Sequence, residues 1–209
     1  MKKLILLISF VIFSIFSIQA QTRIGVKAGG LFSTLTTTDP VTVLPGVDPN
    51  GFYETKLGHQ FGVFMQLELI EKLVLQPELL WLNKGAKVNF GGKIHFNTLA
   101  IPLLIGYQPI KNFSILMGPE FSAILSARYK EGDINVEAKD GLNRKTDIGI
   151  NVGFDYQLKM GLGIGLRYNH GLRNVVKATT VDNTGTTFEN LKFKNRSLQF
   201  YLSYAFMKK

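Results

Sequence analysis

From residue 22 to residue 206, apolar and polar side chains alternate with a period of two, in stretches separated by polar or Gly- and Pro-containing breaks. Successive side chains of a β-strand point to opposite faces, so this alternation marks strands with one apolar face. It recurs eight times, near residues 23–32, 59–69, 73–82, 97–107, from 113 onward, 148–157, 161–169 and 197–206. The last three stretches are the cleanest: Leu198, Phe200, Leu202, Tyr204 and Phe206 alternate with Ser197, Gln199, Tyr201, Ser203 and Ala205. No segment carries a helical period, so the chain reads as all-β.

The connections add a second, independent signal. Those after the second, fourth and sixth strands are short, at residues 70–72, 108–112 and 158–160. The other four are long, at about residues 33–58, 83–96, 128–147 and 171–196. Long loops at one end and tight turns at the other are the plan of an outer-membrane barrel whose turns face the periplasm. The expected fold is therefore an eight-stranded antiparallel up-and-down transmembrane β-barrel with both termini periplasmic. It occupies residues 21–209, behind a secretory signal peptide. That peptide reads Lys2-Lys3, then an apolar run from Leu4 to Ile18, then a small residue, Ala20, at which cleavage is expected.

Alternation alone also suits a soluble barrel with its apolar parity inside. Two observations turn that parity outward. Aromatic residues on it sit at strand ends, with Tyr107, Phe113, Tyr156 and Phe206 at the turn end and Phe32, Phe61, Trp81, Tyr129 and Tyr168 at the loop end. Paired aromatic girdles belong at membrane interfaces and have no use in a soluble core. The opposite parity is rich in Gly, Ser, Asn and Gln, and carries Arg23, Lys27, Lys159 and Arg167 against Glu68, Glu78, Glu120 and Asp155. Facing lipid, the central bases would cost about 2–4 kcal/mol each and the acids somewhat less, a total that rivals a domain's net stability of roughly 5–15 kcal/mol. Inside an eight-stranded barrel, small residues and matched charges fill a lumen just wide enough for side chains. A salt-bridged structural plug is the reading these balanced charges favour over an ion path.

Composition removes other classes. Sixteen Phe and seven Tyr give too much apolar surface for a disordered chain, and the absence of cysteine excludes disulfide scaffolds and thiolate metal sites. The formal charge of +9 falls to +7 once Lys2 and Lys3 leave with the signal peptide. After export, nucleic acid is not an expected partner, and no nucleic-acid-binding pattern is visible. The surplus lies instead in loops such as the second, with Lys84, Lys87 and Lys93, and the fourth, with Arg173, Lys177, Lys192, Lys194 and Arg196 against Asp182 and Glu189. Lipopolysaccharide phosphates are one electrostatic partner for such loops; a merely solvated basic rim is the other reading.

Catalytic chemistry finds little support. His59, His95 and His170 fall at the loop-end rim on the outward parity, and their same-face neighbours two residues on are Phe61, Asn97 and Leu172. No serine joins any of them in a nucleophile–base pair along one strand. Gly161-Leu162-Gly163-Ile164-Gly165 imitates a dinucleotide fingerprint but alternates as a strand and opens no helix. No metal-ligand spacing is present, so neither a metal nor a cofactor is expected.

Four segments together resemble the PorT-like family of outer-membrane β-barrels from Bacteroidota: Gly25-Val26-Lys27-Ala28-Gly29 with Ser33, Gln76-Pro77-Glu78-Leu79, Ile101-Pro102-Leu103-Leu104, and Arg167-Tyr168-Asn169-His170-Gly171-Leu172-Arg173-Asn174. The resemblance covers the whole mature chain, and its motifs are strand patterns, which speak to fold more than to activity. It implies a barrel of mostly uncharacterised kin whose namesake is linked to assembly of a protein secretion system. Phe206 resembles the terminal aromatic of such barrels, although Met207-Lys208-Lys209 follow it. The expected function is a non-enzymatic structural or accessory interaction protein in contact with outer-membrane lipids, lipopolysaccharide and other envelope proteins. An enzyme acting on lipid A and a narrow channel or small-ligand binder are the alternatives.

Overall fold

The computed structural model describes residues 22–37, 53–88, 91–138, 142, 144–181 and 187–206. The signal peptide expected over residues 1–20 lies outside them, as does the Lys159 side chain. The strands are β1 (Thr22–Thr37), β2 (Tyr53–Glu54), β3 (Lys56–Ile70), β4 (Leu73–Val88), β5 (Lys93–Ile110), β6 (Phe113–Glu131), β7 (Ile134–Glu137), β8 (Thr146–Gln157), β9 (Leu162–Gly171), β10 (Val176–Val181) and β11 (Thr187–Phe206). Eight of them pair antiparallel in the order β1, β3, β4, β5, β6, β8, β9, β11. The ring closes where β11 returns to β1, from Ile24 opposite Phe206 to Thr37 opposite Phe193. Closure satisfies every wall strand on both sides, which is the condition for a sheet to exist in hydrocarbon.

Turns at one end are tight because a left-handed residue completes each of them. Lys72, Asn112 and Met160 have φ of 68°, 71° and 67°. Gln108 N–H then donates to the Lys72 carbonyl at 2.8 Å and Gln157 N–H to the Asn112 carbonyl at 2.7 Å, tying neighbouring turns together.

At the other end the wall strands run past the expected boundaries. β5, β6 and β11 have 18, 19 and 20 residues, where about 9–11 suffice for a tilted strand to cross a bilayer. Residues 83–88 and 93–96, within the loop expected over 83–96, are the tops of β4 and β5, paired from Asn83 opposite Asn97 to Lys87 opposite Lys93. The region 128–147 likewise begins with the end of β6 and the short β7. In these extensions the outward face turns polar while the inward face carries residues such as Ala86, Ile94 and Phe96, so the apolar-outward alternation that marks the wall strands ends there.

The outward parity carries Val63, Leu79, Ile101, Ile105, Met117, Phe121, Ile150, Val152 and Leu202, all exposed. An apolar surface wrapping a whole wall is far larger than the few hundred Å² that a soluble monomer tolerates, and it is stable only against hydrocarbon. Leu67 departs from this, being buried although it lies on the same parity. The inward parity is the core, and it is more apolar than the alternation suggests. Leu31, Leu80, Leu82 and Ala100 form one buried cluster inside the wall, and Val74, Leu104 and Leu116 another nearer the turns.

Candidate functional site

Lumen charges meet around Glu78 of β4. Arg167 of β9 grips this carboxylate with two donors, Nη1 to Oε2 at 2.8 Å and Nη2 to Oε1 at 2.9 Å. Lys27 Nζ of β1 donates to Oε1 at 2.8 Å, and Gln76 Nε2 does so at 2.7 Å. Arg167 Nη2 also donates to the Tyr201 hydroxyl at 3.0 Å, and that hydroxyl donates in turn to Asp155. The Lys27 ammonium stands 4.0 Å from the centre of the Tyr201 ring, a cation–π contact that adds to the same knot. Two bases thus face two acids in a cluster where Lys27, Glu78 and Arg167 are 3, 4 and 1% exposed. Buried charges are tolerable only when paired and hydrogen-bonded in this way.

Gly165 explains how so large a ring fits. A Cβ at that position would collide with the Tyr201 ring and the Asp155 carboxylate. The run of glycines in β9 is therefore space left for an inward tyrosine, not a phosphate cradle.

A second pair lies closer to the loop end. Lys84 Nζ donates to Glu120 Oε1 at 2.8 Å, Asn151 Nδ2 donates to Glu120 Oε2 at 3.0 Å, and Asn169 Nδ2 reaches Asn151 Oδ1 at 3.0 Å. Lys84 was expected in a solvent-facing basic loop; it is instead a lumen residue. The signal was present, because Gln76, Glu78, Leu80, Leu82, Lys84 and Ala86 share one parity, but a lysine beyond the aromatic Trp81 reads as the start of a loop.

Above this pair, Leu35, Ala86, Phe96, Ile124, Ala127, Val175 and Phe193 pack into an apolar cluster that closes the mouth. At the turn end a polar recess remains, lined by Arg23, Gln66, Gln108, Ser114, Gln157 and Ser203, with Asp155 and Gln76 at its floor. Arg23 and Glu68 meet at this rim at 3.9 Å, each about one-third exposed. Of the eight lumen charges expected, Lys27, Glu78, Asp155 and Arg167 form one network, Glu120 belongs to another, and Arg23 with Glu68 stands apart.

Aromatic residues take positions on the wall as follows. Phe32 lies 5.7 Å from Phe200 and Phe61 stacks on Trp81 at 6.4 Å, both toward the loop end. Phe113 contacts Phe154 and Phe206 contacts Tyr204 toward the turn end, with Tyr107 and Tyr156 exposed nearby. Tyr168 packs edge-on against His170. Tyr129 is a correction. A bulge in β6, where Asn97 faces Ser126 but Thr98 faces Ile124, inverts the parity that follows. Tyr129 accordingly pairs with inward Ile94, and its hydroxyl donates to Glu131 Oε2 and stands 3.2 Å from the Gly91 carbonyl, outside the girdle. Among the described residues no hydrogen bond joins His59, His95 or His170 to a serine or a carboxylate, and no cluster of metal-ligating side chains occurs.

A family model described as "Outer membrane protein beta-barrel domain" matches residues 19–177. No curated protein matches the chain by sequence. Among solved structures, Neisserial surface protein A (NspA) is similar with a TM-score of 0.53 at 10% identity, covering 88% of this chain and 97% of that one. Ail, the attachment invasion locus protein of Yersinia pestis, has a TM-score of 0.49 at 11% identity, covering 89% of this chain and 99% of its own. OprG from Pseudomonas aeruginosa has a TM-score of 0.43 at 14% identity, over 90% and 98% of the two chains.

Proposed function

Because the chain belongs to the family of outer membrane protein β-barrel domains, we propose that it serves in that membrane as a non-conducting, non-enzymatic barrel, an accessory protein that works through its outer wall and loop-end strands. The carrying observation is occlusion of the lumen. The Lys27–Glu78–Arg167 knot joins β1, β4 and β9, the Lys84–Glu120 pair spans β4 and β6 above it, and the apolar cluster around Phe96 and Phe193 closes the mouth. Opening a path would require separating buried ion pairs, and leaving one charge of such a pair uncompensated costs about 3–5 kcal/mol.

The finer reading follows the sequence resemblance. A PorT-like role in a Bacteroidota envelope makes the barrel a helper of a secretion system, exported by a signal peptide cleaved after Ala20, with its termini in the periplasm and outer-leaflet lipids and other envelope proteins as partners. Purified protein in planar bilayers is expected to show no steady conductance. A steady current abolished by changing Glu120 or Arg167 would replace the plug with a channel. Site-directed crosslinking from the β6–β7 extension in intact cells is expected to give one discrete protein adduct, and a bare, adduct-free barrel would count against the accessory role.

A further inference from the structure

Just beyond the apolar surface, one sector of the outer wall holds a charge arrangement that pairing within the barrel does not balance. It begins with a polar ladder one outward position above the Phe61–Trp81 stack. Lys56 Nζ donates to Asn83 Oδ1 at 2.7 Å, Asn83 Nδ2 to Asn97 Oδ1 at 2.8 Å, and Asn97 Nδ2 to Ser126 Oγ at 2.9 Å. The next outward row across β4, β5 and β6 is Gly85, His95 and Arg128, and the row after it is Lys87, Lys93 and Lys130.

Three lysines directly opposite one another on neighbouring strands repel, and like charges in that position destabilise a sheet. Glu54 lies opposite Lys87 and Glu137 opposite Arg128, whereas Lys93 has only lysines on either side. Among the described residues, none of the three lysines makes an ion pair. The potential they create is felt locally: burial, then the ammonium groups of Lys56, Lys130 and Lys93, hold the His95 imidazole down to about 4, so it is neutral at physiological pH.

Depth decides what kind of anion belongs there. At about 3.3 Å per residue and a tilt near 40°, Gly85 stands roughly 10 Å and Lys87 roughly 15 Å above Trp81 along the membrane normal. Lysine side chains on such a wall lean back toward the interface by several Å, which brings the ammonium groups to roughly 10 Å above Trp81, at the outer edge of a headgroup layer about 5–8 Å deep. The row lies at the base of the β4–β5 turn, with the exposed Lys87 and Lys93 side chains on the outward face.

We propose that this sector, with Lys93 and Lys130 as the principal contacts and Lys87 beside them, binds the phosphate of a phosphorylated outer-leaflet glycolipid. The inference rests on the outer-membrane reading with the loop end facing outward. Asn83 and Asn97 supply neutral donors at the base of the site, and the lipid chains lie against the apolar wall below Trp81.

Native mass spectrometry of the detergent-folded full chain tests this, with bisphosphorylated lipid A, the same lipid stripped of phosphate, and inorganic phosphate as probes. Lys93→Gln with Lys130→Gln is expected to weaken binding of the bisphosphorylated lipid about tenfold or more, since each lysine near an anionic headgroup contributes on the order of one decade or slightly less. Lys93→Arg with Lys130→Arg should retain it. Lys192→Gln with Lys194→Gln removes equal charge from the other basic extension and should change binding less than about threefold. Equal losses in the two Gln pairs, or equal binding of the phosphate-free lipid, would overturn the site. Competition by inorganic phosphate at the same concentration as the lipid would overturn the lipid assignment. Failure of the wild-type chain to fractionate with outer membranes would instead overturn the reading on which the site rests.

Discussion

Replacing Glu78 with Gln tests the lumen plug at its centre. Four donors converge on that carboxylate, two from Arg167, one from Lys27 and one from Gln76. An amide offers one acceptor oxygen and turns an NH2 group toward the guanidinium, so at least one charge-assisted hydrogen bond of about 1.5–3 kcal/mol is lost. Lys27 and Arg167 then remain buried with only Asp155 to balance them, the situation in which a broken buried pair costs about 3–5 kcal/mol. We expect Glu78→Gln to lose roughly 3–5 kcal/mol of unfolding free energy, a large share of a typical 5–15 kcal/mol. Urea unfolding in phospholipid vesicles, followed by the fluorescence of Trp81, measures it without added probes, because Trp81 is the single tryptophan. Glu68→Gln is the matched control: its partner Arg23 is 3.9 Å away in a one-third exposed pair, worth less than about 1 kcal/mol. Adding Lys27→Met to Glu78→Gln removes the surplus cation and should recover part of the loss, a coupling that independent sites do not show. If Glu78→Gln costs no more than Glu68→Gln, the network does not hold the lumen closed.

Three further outcomes follow from the same geometry. Lys84→Met leaves the Glu120 carboxylate with Asn151 alone and should cost about 3–5 kcal/mol, whereas Lys87→Met on the exposed wall should stay within about 0.5 kcal/mol; equal effects in the same urea titration would return Lys84 to solvent. Gly165→Ala drives a methyl into the Tyr201 ring and the Asp155 carboxylate, and a loss of about 1–3 kcal/mol is expected; an unchanged midpoint would mean the ring does not occupy that space. Val152→Arg puts a cation on the lipid face and should cost about 2–4 kcal/mol if the residue lies near mid-membrane, read as a lower temperature for the folded-to-unfolded band shift on gels.

Much of this barrel is legible without coordinates, and the reason is that strand parity is local. Knowing that Ile24, Val26 and Ala28 alternate with Gly25 and Lys27 is enough to say which side chains share a face. The cost of charge in hydrocarbon is enough to say which face turns inward. Strand number and the tight turns at Lys72, Asn112 and Met160 follow from the same short-range pattern. Tertiary structure decided the rest. Lys27, Glu78 and Arg167 are separated by 51 and 89 positions, and only the stagger of a closed ring sets which inward charges come level. The bulge beside Ser126 reverses everything beyond it in β6, so Tyr129 leaves the girdle for a contact that alternation cannot foresee. Lys84 enters the lumen because β4 continues past the membrane, where the outward face turns polar and the apolar-outward pattern that marks a strand ends. Alternation is written residue by residue along the chain; register, bulges and closure are relations between strands, and they arise only when the ring is complete.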